Sequence, residues 1–390
     1  MLASACLEAP PGASGPGADG GGADGGADGV GFPPSGAAVH LTGAFAADVD
    51  NNDRDDLVLL DDDDGDDWVG VYILRAGEDG WIALDQVELE VAPTAAWFGR
   101  MIKAGPAMVV GRADGQVEVV DYKSDGPYQI DELVLDPPVD GPVTILHSGL
   151  VDAADAAASL LIFDGTSLLR SDPVDLAGTT SIGVLSVGTF LDAAFWPLST
   201  SDPAIYIAGR TEDGVQWHMA DTGGGANFPT AVAARFGRLV NGMCGTHLVV
   251  GSDDSLLIGS IACDATSAAT DPLVGSDIPE VKAMMAADIG GAGKHDVVLV
   301  GLDGGTLYAQ ALIDINYVAD EAPFFQSDAK TSRVPLEVAL PETIYLVAAD
   351  VEAIDRALVY AIAPSGVGFC GQLVGTAVQS CEPAWQLKGP

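Results

Sequence analysis

Oxygen-bearing side chains alternate along Asp48-Val49-Asp50-Asn51-Asn52-Asp53-Arg54-Asp55-Asp56, and the apolar run Leu57-Val58-Leu59-Leu60 follows at once. With Asp48 as position 1 of a loop, side-chain oxygens fall at positions 1, 3, 5 and 9. A tight loop turns alternate side chains inward. Asp48, Asp50, Asn52 and Asp56 can therefore converge, and the main-chain carbonyl of Arg54 can add a ligand at position 7. Three carboxylates and an amide are hard donors that suit Ca2+ far better than zinc. Position 6, where such a loop prefers Gly for its sharp turn, is Asp53, which can adopt the left-handed conformation at some cost. The competing reading is a solvated acidic turn without an ion.

Two weaker copies occur downstream. Asp288-Ile289-Gly290-Gly291-Ala292-Gly293-Lys294-His295-Asp296 precedes another apolar run, but Gly290 and Ala292 replace two ligands and leave Asp288 and Asp296. This degenerate metal loop is expected to keep the turn and to have lost the ion. Near Asp350 only a trace survives, with Ile354 and Leu358 at ligand positions. The run Asp61-Asp67 lies between two apolar segments and reads as a hairpin tip with side chains splayed into water.

These loops must be positioned by a larger framework, and repeats come first. Strand-like cores begin at residues 57, 108, 160, 205, 248, 297 and 358, at intervals of 51, 52, 45, 43, 49 and 61. The last interval is attributed to an insertion at Asp314-Arg333. Each core runs into a turn rich in Asp and Gly and then a second strand, the pattern of a β-hairpin. Units of about 50 residues with about four short strands each fit an all-β fold, a single β-propeller. Seven blades are favoured, with six or eight allowed.

The segment Ala46-Val58 resembles the FG-GAP or VCBS repeat, the calcium-loop blade motif of integrin-type propellers and many bacterial extracellular proteins. The resemblance is specific in this first unit and moderate at Asp288-Asp296. It implies a propeller over residues 37–390 and no particular activity.

Composition narrows the partners. The 390 residues hold 16 Lys and Arg against 57 Asp and Glu, a net charge of -41. Such a surface repels phosphate backbones and anionic membranes, so no nucleic acid is expected as a partner. No apolar stretch approaches the roughly 18 residues that span a bilayer. Leu2-Ala3-Ser4-Ala5-Cys6 reads like the end of a bacterial lipoprotein signal, with Cys6 the lipidation site, although no basic segment or apolar core precedes it. Residues 1–36 then form a disordered linker dominated by Gly, Ala, Asp and Pro.

Four further cysteines fall in two pairs, each symmetric about a turn. Cys244 and Cys263 flank the turn at Asp253-Asp254, and Cys370 and Cys381 flank the turn at Gly375-Thr376. Directly opposed residues on antiparallel strands lie within disulfide range, so Cys244–Cys263 and Cys370–Cys381 are the expected bridges. Four reduced thiols are the alternative. Two bridges imply an oxidising compartment.

Catalytic patterns are sparse, and no catalytic residue is assigned. The five His fall at dissimilar phases of the repeats, and no nucleophile elbow, zincin helix or phosphate loop occurs. The expectation is a monomeric, non-enzymatic binding or adhesion module with a structural calcium loop. It would act outside the cytoplasm as a lipid-anchored cell-surface protein, an outer-membrane lipoprotein or a secreted protein, with a protein or polysaccharide ligand. The alternatives are a carbohydrate-active enzyme resembling a polysaccharide lyase and a purely structural surface protein. For the enzyme, two of Arg100, Arg112, Arg170 and Arg210 would need to share one mouth with a His or Tyr.

Overall fold

In a computed structural model, the structure describes residues 40–62, 69–78, 80–101, 105–121, 128–150, 158–171, 177–184, 188–199, 202–219, 225–240, 247–252, 255–261, 268–289, 294–336, 344–350, 357–363, 366–374 and 377–380. Among them all regular structure is β-strand, and no helix is long and apolar enough to cross a membrane. Residues 1–36, the expected tether, with Cys6, lie outside the described residues.

The strands make a β-propeller. Among the described residues they form five four-stranded antiparallel meanders and one nine-stranded sheet. In that sheet two further meanders are joined by a parallel pair, and Val334–Pro335 adds to the strand Thr306–Val318, so that seven meanders follow one another in chain order. The first strands are Leu41–Ala47, Pro93–Met101, Thr144–Leu150, Thr189–Ser199, Ala231–Gly237, Glu280–Ala287 and Tyr345–Ala349. The seven cores read from sequence are the second strands: Asp56–Asp61, Gly105–Arg112, Ala158–Phe163, Asp202–Thr211, His247–Ser252, Asp296–Asp303 and Leu358–Ala363.

The middles of these second strands are continuous apolar runs because both of their faces are covered. Leu57 and Leu59 turn towards the last blade, whereas Val58 and Leu60 turn towards the second. The same two-residue alternation recurs round the ring. Met108 and Val110 face the first blade while Ala107 and Val109 face the third. Leu160 and Ile162 face backward while Leu161 and Phe163 face forward. Val249 packs on the sixth blade through Val297 and Leu299, and Val298 packs on the seventh through Val359. Side chains of a strand point alternately to opposite faces, so a run buried on both faces loses its polar half.

The final interface closes the circle. Leu41, Leu57, Leu59, Tyr72 and Leu74 of the first blade share one buried cluster with Val347, Ala349, Leu358, Tyr360 and Ile362 of the last. Two sets of polar bonds flank it. The Tyr345 hydroxyl donates to the Leu41 carbonyl at 3.1 Å. The Asp55 N–H donates to the Asp350 carbonyl at 3.0 Å, and the Asp350 N–H returns a bond to Asp55 Oδ2 at 2.8 Å.

Two expectations are corrected. Residues Asp314–Arg333 are not a separate insertion. They extend the sixth blade's third strand, Thr306–Val318, and supply its fourth, Phe324–Lys330, which pairs in parallel with Ala268–Val274 of the fifth blade. Nor do all the aspartates of the 61–67 run point into water. Asp61 is buried and its Oδ1 accepts the His40 N–H at 2.6 Å, while Asp62 bonds the His40 ring; residues 63–68 lie outside the described residues.

Truncating Leu59 to Ala removes a fully buried side chain from the closing interface. The expected cost is about 2–5 kcal/mol in a denaturant titration, the usual range for a core Leu. A loss under about 0.5 kcal/mol, the surface-substitution range, would show that this interface is not tightly packed.

Candidate metal centre

The first loop joins the first two strands of the first blade. Asp48 organises it from inside: Oδ1 accepts the Asn52 N–H at 2.9 Å and Oδ2 accepts the Asp53 N–H at 3.0 Å. Asn52 Oδ1 accepts the Arg54 N–H at 2.9 Å, and Asn52 Nδ2 donates to the Ala76 carbonyl at 2.9 Å. The turn places Asn51 at φ 59° and Asp53 at φ 63°, so Asp53 takes the left-handed conformation its position demands. At the far end Asp56 is fully buried. Its Oδ2 accepts the Val49 N–H at 3.0 Å and its Oδ1 the Ala76 N–H at 2.8 Å.

The outcome is a cluster of three carboxylates. One oxygen each from Asp48, Asp50 and Asp56 lies within 4.8 Å of the others. The Asp50 side chain is 10% exposed, and its Oδ1 is buried without a hydrogen-bond partner. A buried carboxylate oxygen left without a donor costs free energy unless a cation supplies the missing charge. The donor set fits a hard divalent cation held by Asp48, Asp50 and Asp56. Asn52 and Arg54 sit in the same loop, with the Asn52 amide engaged in shaping it.

Three residues outside the sequence motif complete the surroundings. Arg75, on the blade's third strand Gly70–Gly77, places Nη1 3.7 Å from Asp50 Oδ2 and Nε 3.0 Å from Asp85 Oδ2. Tyr128 of the second blade donates its hydroxyl to Asp85 Oδ2 at 2.8 Å. Nothing in the local spacing marks Arg75. It arrives through strand register, which pairs it with Ala83 and sets it beside Asp56 across the hairpin.

Burial pushes the carboxyls of Asp48, Asp50 and Asp55 upward, and it pushes Asp56 up to about 7. For Asp50 the neighbouring Asp48 charge adds to the rise, while Arg75 opposes it. For Asp56 the two backbone N–H bonds oppose the rise and are outweighed by desolvation.

The second loop is built on the same frame with different charges. Asp296 is buried and its Oδ1 accepts the Asp314 N–H at 2.9 Å, the bond that Asp56 makes to Ala76. Lys294, at loop position 7, is also buried, with its ammonium 3.3 Å from Asp314 Oδ1 and 3.4 Å from the Ile315 carbonyl. A lysine thus sits beside a loop short of two ligands. Asp288 is half-buried, and residues 290–293 lie outside the described residues, as do 351–356 of the third copy.

The remaining sequence assignments scatter. Arg112 is buried in an ion cluster with Asp114 and Glu118, at 2.5 and 3.0 Å. Neither Arg112, Arg170 nor Arg210 lines the central cavity, and the Arg100 side chain lies outside the described set. Among the aromatic residues, Trp217 packs edge-on against Tyr206, with centroids 5.9 Å apart, and Trp97 lines the cavity between the blades' first strands. Cys244, Cys263 and Cys381 lie outside the described residues, and Cys370 is described only as part of strand Gly366–Val374.

No protein-family profile matches the chain, and no curated protein matches it. Solved structures do. Two crystal structures of BBS1N in complex with ARL6DN, soaked with lead and with mercury, align with TM-scores of 0.52 and 0.50 at 15% and 14% identity. The alignments cover 87% and 88% of this chain and 94% and 95% of BBS1N. At that identity the likeness concerns the propeller fold.

The raised carboxyls set a pH dependence for the metal-free chain. Between the ordinary carboxyl value of 3.8 and about 7, native Asp56 keeps a proton that the unfolded chain has shed. Native stability therefore falls as pH rises through that window. Asp50→Asn removes one repelling charge, so metal-free D50N should melt above the parent at pH 7 and close to it at pH 4. An equal offset at both pH values would contradict the charge argument.

Proposed function

We propose that this chain is a non-enzymatic, extracytoplasmic binding or adhesion propeller of the FG-GAP/VCBS type, stabilised by one structural Ca2+ in the Asp48-Asp56 loop. The observation that carries the metal assignment is the buried, unpartnered Asp50 Oδ1 beside the carboxylates of Asp48 and Asp56. The ion would neutralise a cluster whose members resist ionisation together. It would also brace the loop beside the Asp55–Asp350 contact that joins the first and last blades.

Binding rather than chemistry accords with the scatter of Arg112, Arg170 and Arg210. The BBS1N propeller, crystallised in complex with ARL6DN, shows that this fold can present a surface to a protein partner. A protein or polysaccharide ligand, a monomeric state and a lipid anchor at Cys6 belong to the same proposal. So does an oxidising setting with Cys244–Cys263 and Cys370–Cys381 bridges. Support for the bridges comes from register. His247↔Ser260 and Gly251↔Leu256 centre one hairpin between residues 253 and 254, and Gly371↔Ser380 centres the other between 375 and 376.

Calcium at about a hundred times its Kd should stabilise the native chain by about 2.7 kcal/mol, seen as a rise in melting temperature that EDTA reverses. Asp50→Ala should abolish the rise. A parent melting curve indifferent to calcium and EDTA would refute the metal assignment. Non-reducing peptide mapping of chain exported to an oxidising compartment should recover both disulfide-linked peptides; free thiols at all four positions would remove that support for the location.

A further inference from the structure

The inner strands of six blades enclose a central cavity of about 600 Å³. Its wall is largely small and apolar, with Ala46, Ala194 and Ala286 among the lining residues. Its polar groups gather on the fourth to sixth blades: Asp192, Arg235, Arg238 and His295. Trp97, 38% exposed, lines the same space from the second blade.

The charges there do not follow the rest of the molecule. The chain carries 57 acidic residues against 16 basic ones, so an arginine would be expected to find a carboxylate. Arg75, Arg112 and Arg333 each do. Arg235 is held by the carbonyls of Leu191 and Ala234 at 2.7 and 2.9 Å and faces the charge of Asp192. Asp192 in turn accepts the Phe236 N–H at 2.7 Å. Those two side chains offset each other. Arg238 is different. Its main chain is fixed to His295, accepting the His295 N–H at 2.8 Å and donating to His295 Nδ1 at 3.3 Å. Among the described residues its guanidinium pairs with no carboxylate.

With Nδ1 accepting, the proton of a neutral His295 sits on Nε2, a further donor on the same wall. Among the described lining residues the Arg238 guanidinium is thus the one arginine with no carboxylate partner, while the Asp288 charge acts on His295 from the neighbouring loop. A planar guanidinium recognises a carboxylate through two parallel bonds. Doubly charged phosphate would ask for a second cation or a cradle of backbone N–H groups, and the described lining offers no lysine and no helix terminus. The alanine wall and the exposed indole suit an organic body, since pockets of this size are mostly apolar with a few placed polar groups.

We propose that the central channel is a binding site for a small organic monocarboxylate, gripped by Arg238 with His295 beside it and covered by Trp97. This site is separate from the calcium loop.

Benzoate and glucuronate, one with an apolar ring and one with a hydroxylated ring, are the probes, with benzamide as the neutral control and inorganic phosphate as the competing anion. Titration of the full chain, followed by calorimetry and by fluorescence against a Trp97→Phe reference, should show saturable binding of at least one carboxylate. Benzamide should not bind, and phosphate should bind more weakly than that carboxylate. Arg238→Gln should weaken binding at least about tenfold with an unchanged melting curve. Arg238→Lys, which keeps the charge and loses the fork, should fall between them and supplies the comparison if the Gln variant does not fold. Failure of both carboxylates to bind up to roughly 10 mM, undiminished binding by both Arg238 variants, or tighter binding of phosphate would overturn the assignment. None of these results depends on calcium.

Discussion

The packing of the first blade on the last is the constraint on which the rest of this molecule depends. Each other interface joins neighbours in sequence, which the chain brings together by local pairing. The cluster of Leu57, Leu59, Tyr72 and Leu74 with Leu358, Tyr360 and Ile362 joins residues about 300 positions apart. Until it forms, the first blade exposes one apolar face and the last blade another. Closure buries both, and with them the open ends that a row of sheets would otherwise present.

The acidic loop gains its meaning from its place beside this seam. Odd positions of the loop turn inward, bringing Asp48, Asp50 and Asp56 together, while Asp55 turns outward and exchanges two hydrogen bonds with Asp350. A single nine-residue segment thus gathers charge on one side and fastens the ring on the other. Repulsion among the gathered carboxylates acts against the geometry that the seam requires. Arg75 and the buried backbone donors relieve part of it. The unpartnered oxygen of Asp50 shows where the relief is incomplete.

Much of this was legible in the sequence, for physical reasons. The middle of a strand buried on both faces must be apolar, so the seven second strands stood out as short continuous runs leading into turns, most of them rich in Asp and Gly. The convergence of Asp48, Asp50 and Asp56 was legible because alternate positions of a tight loop turn inward. What depends on long-range register was not. Arg75 reaches Asp50 across a hairpin, and Arg238 meets His295 across two blades; neither pairing leaves a local pattern. The long sixth-blade strand Thr306–Val318 read as an insertion because its extra length serves a parallel pairing to the previous blade, which no spacing rule announces. Asp61 looked like a member of an exposed acidic run, yet it is buried and accepts the His40 N–H.

Native-state hydrogen exchange along Leu41–Ala47 and Tyr345–Ala349 addresses the closed seam most directly. If the first and last blades form one packed interface, their amides exchange with a common opening free energy. Independent exchange of the two strands, with the last blade opening while the first stays protected, would contradict a ring closed at this seam.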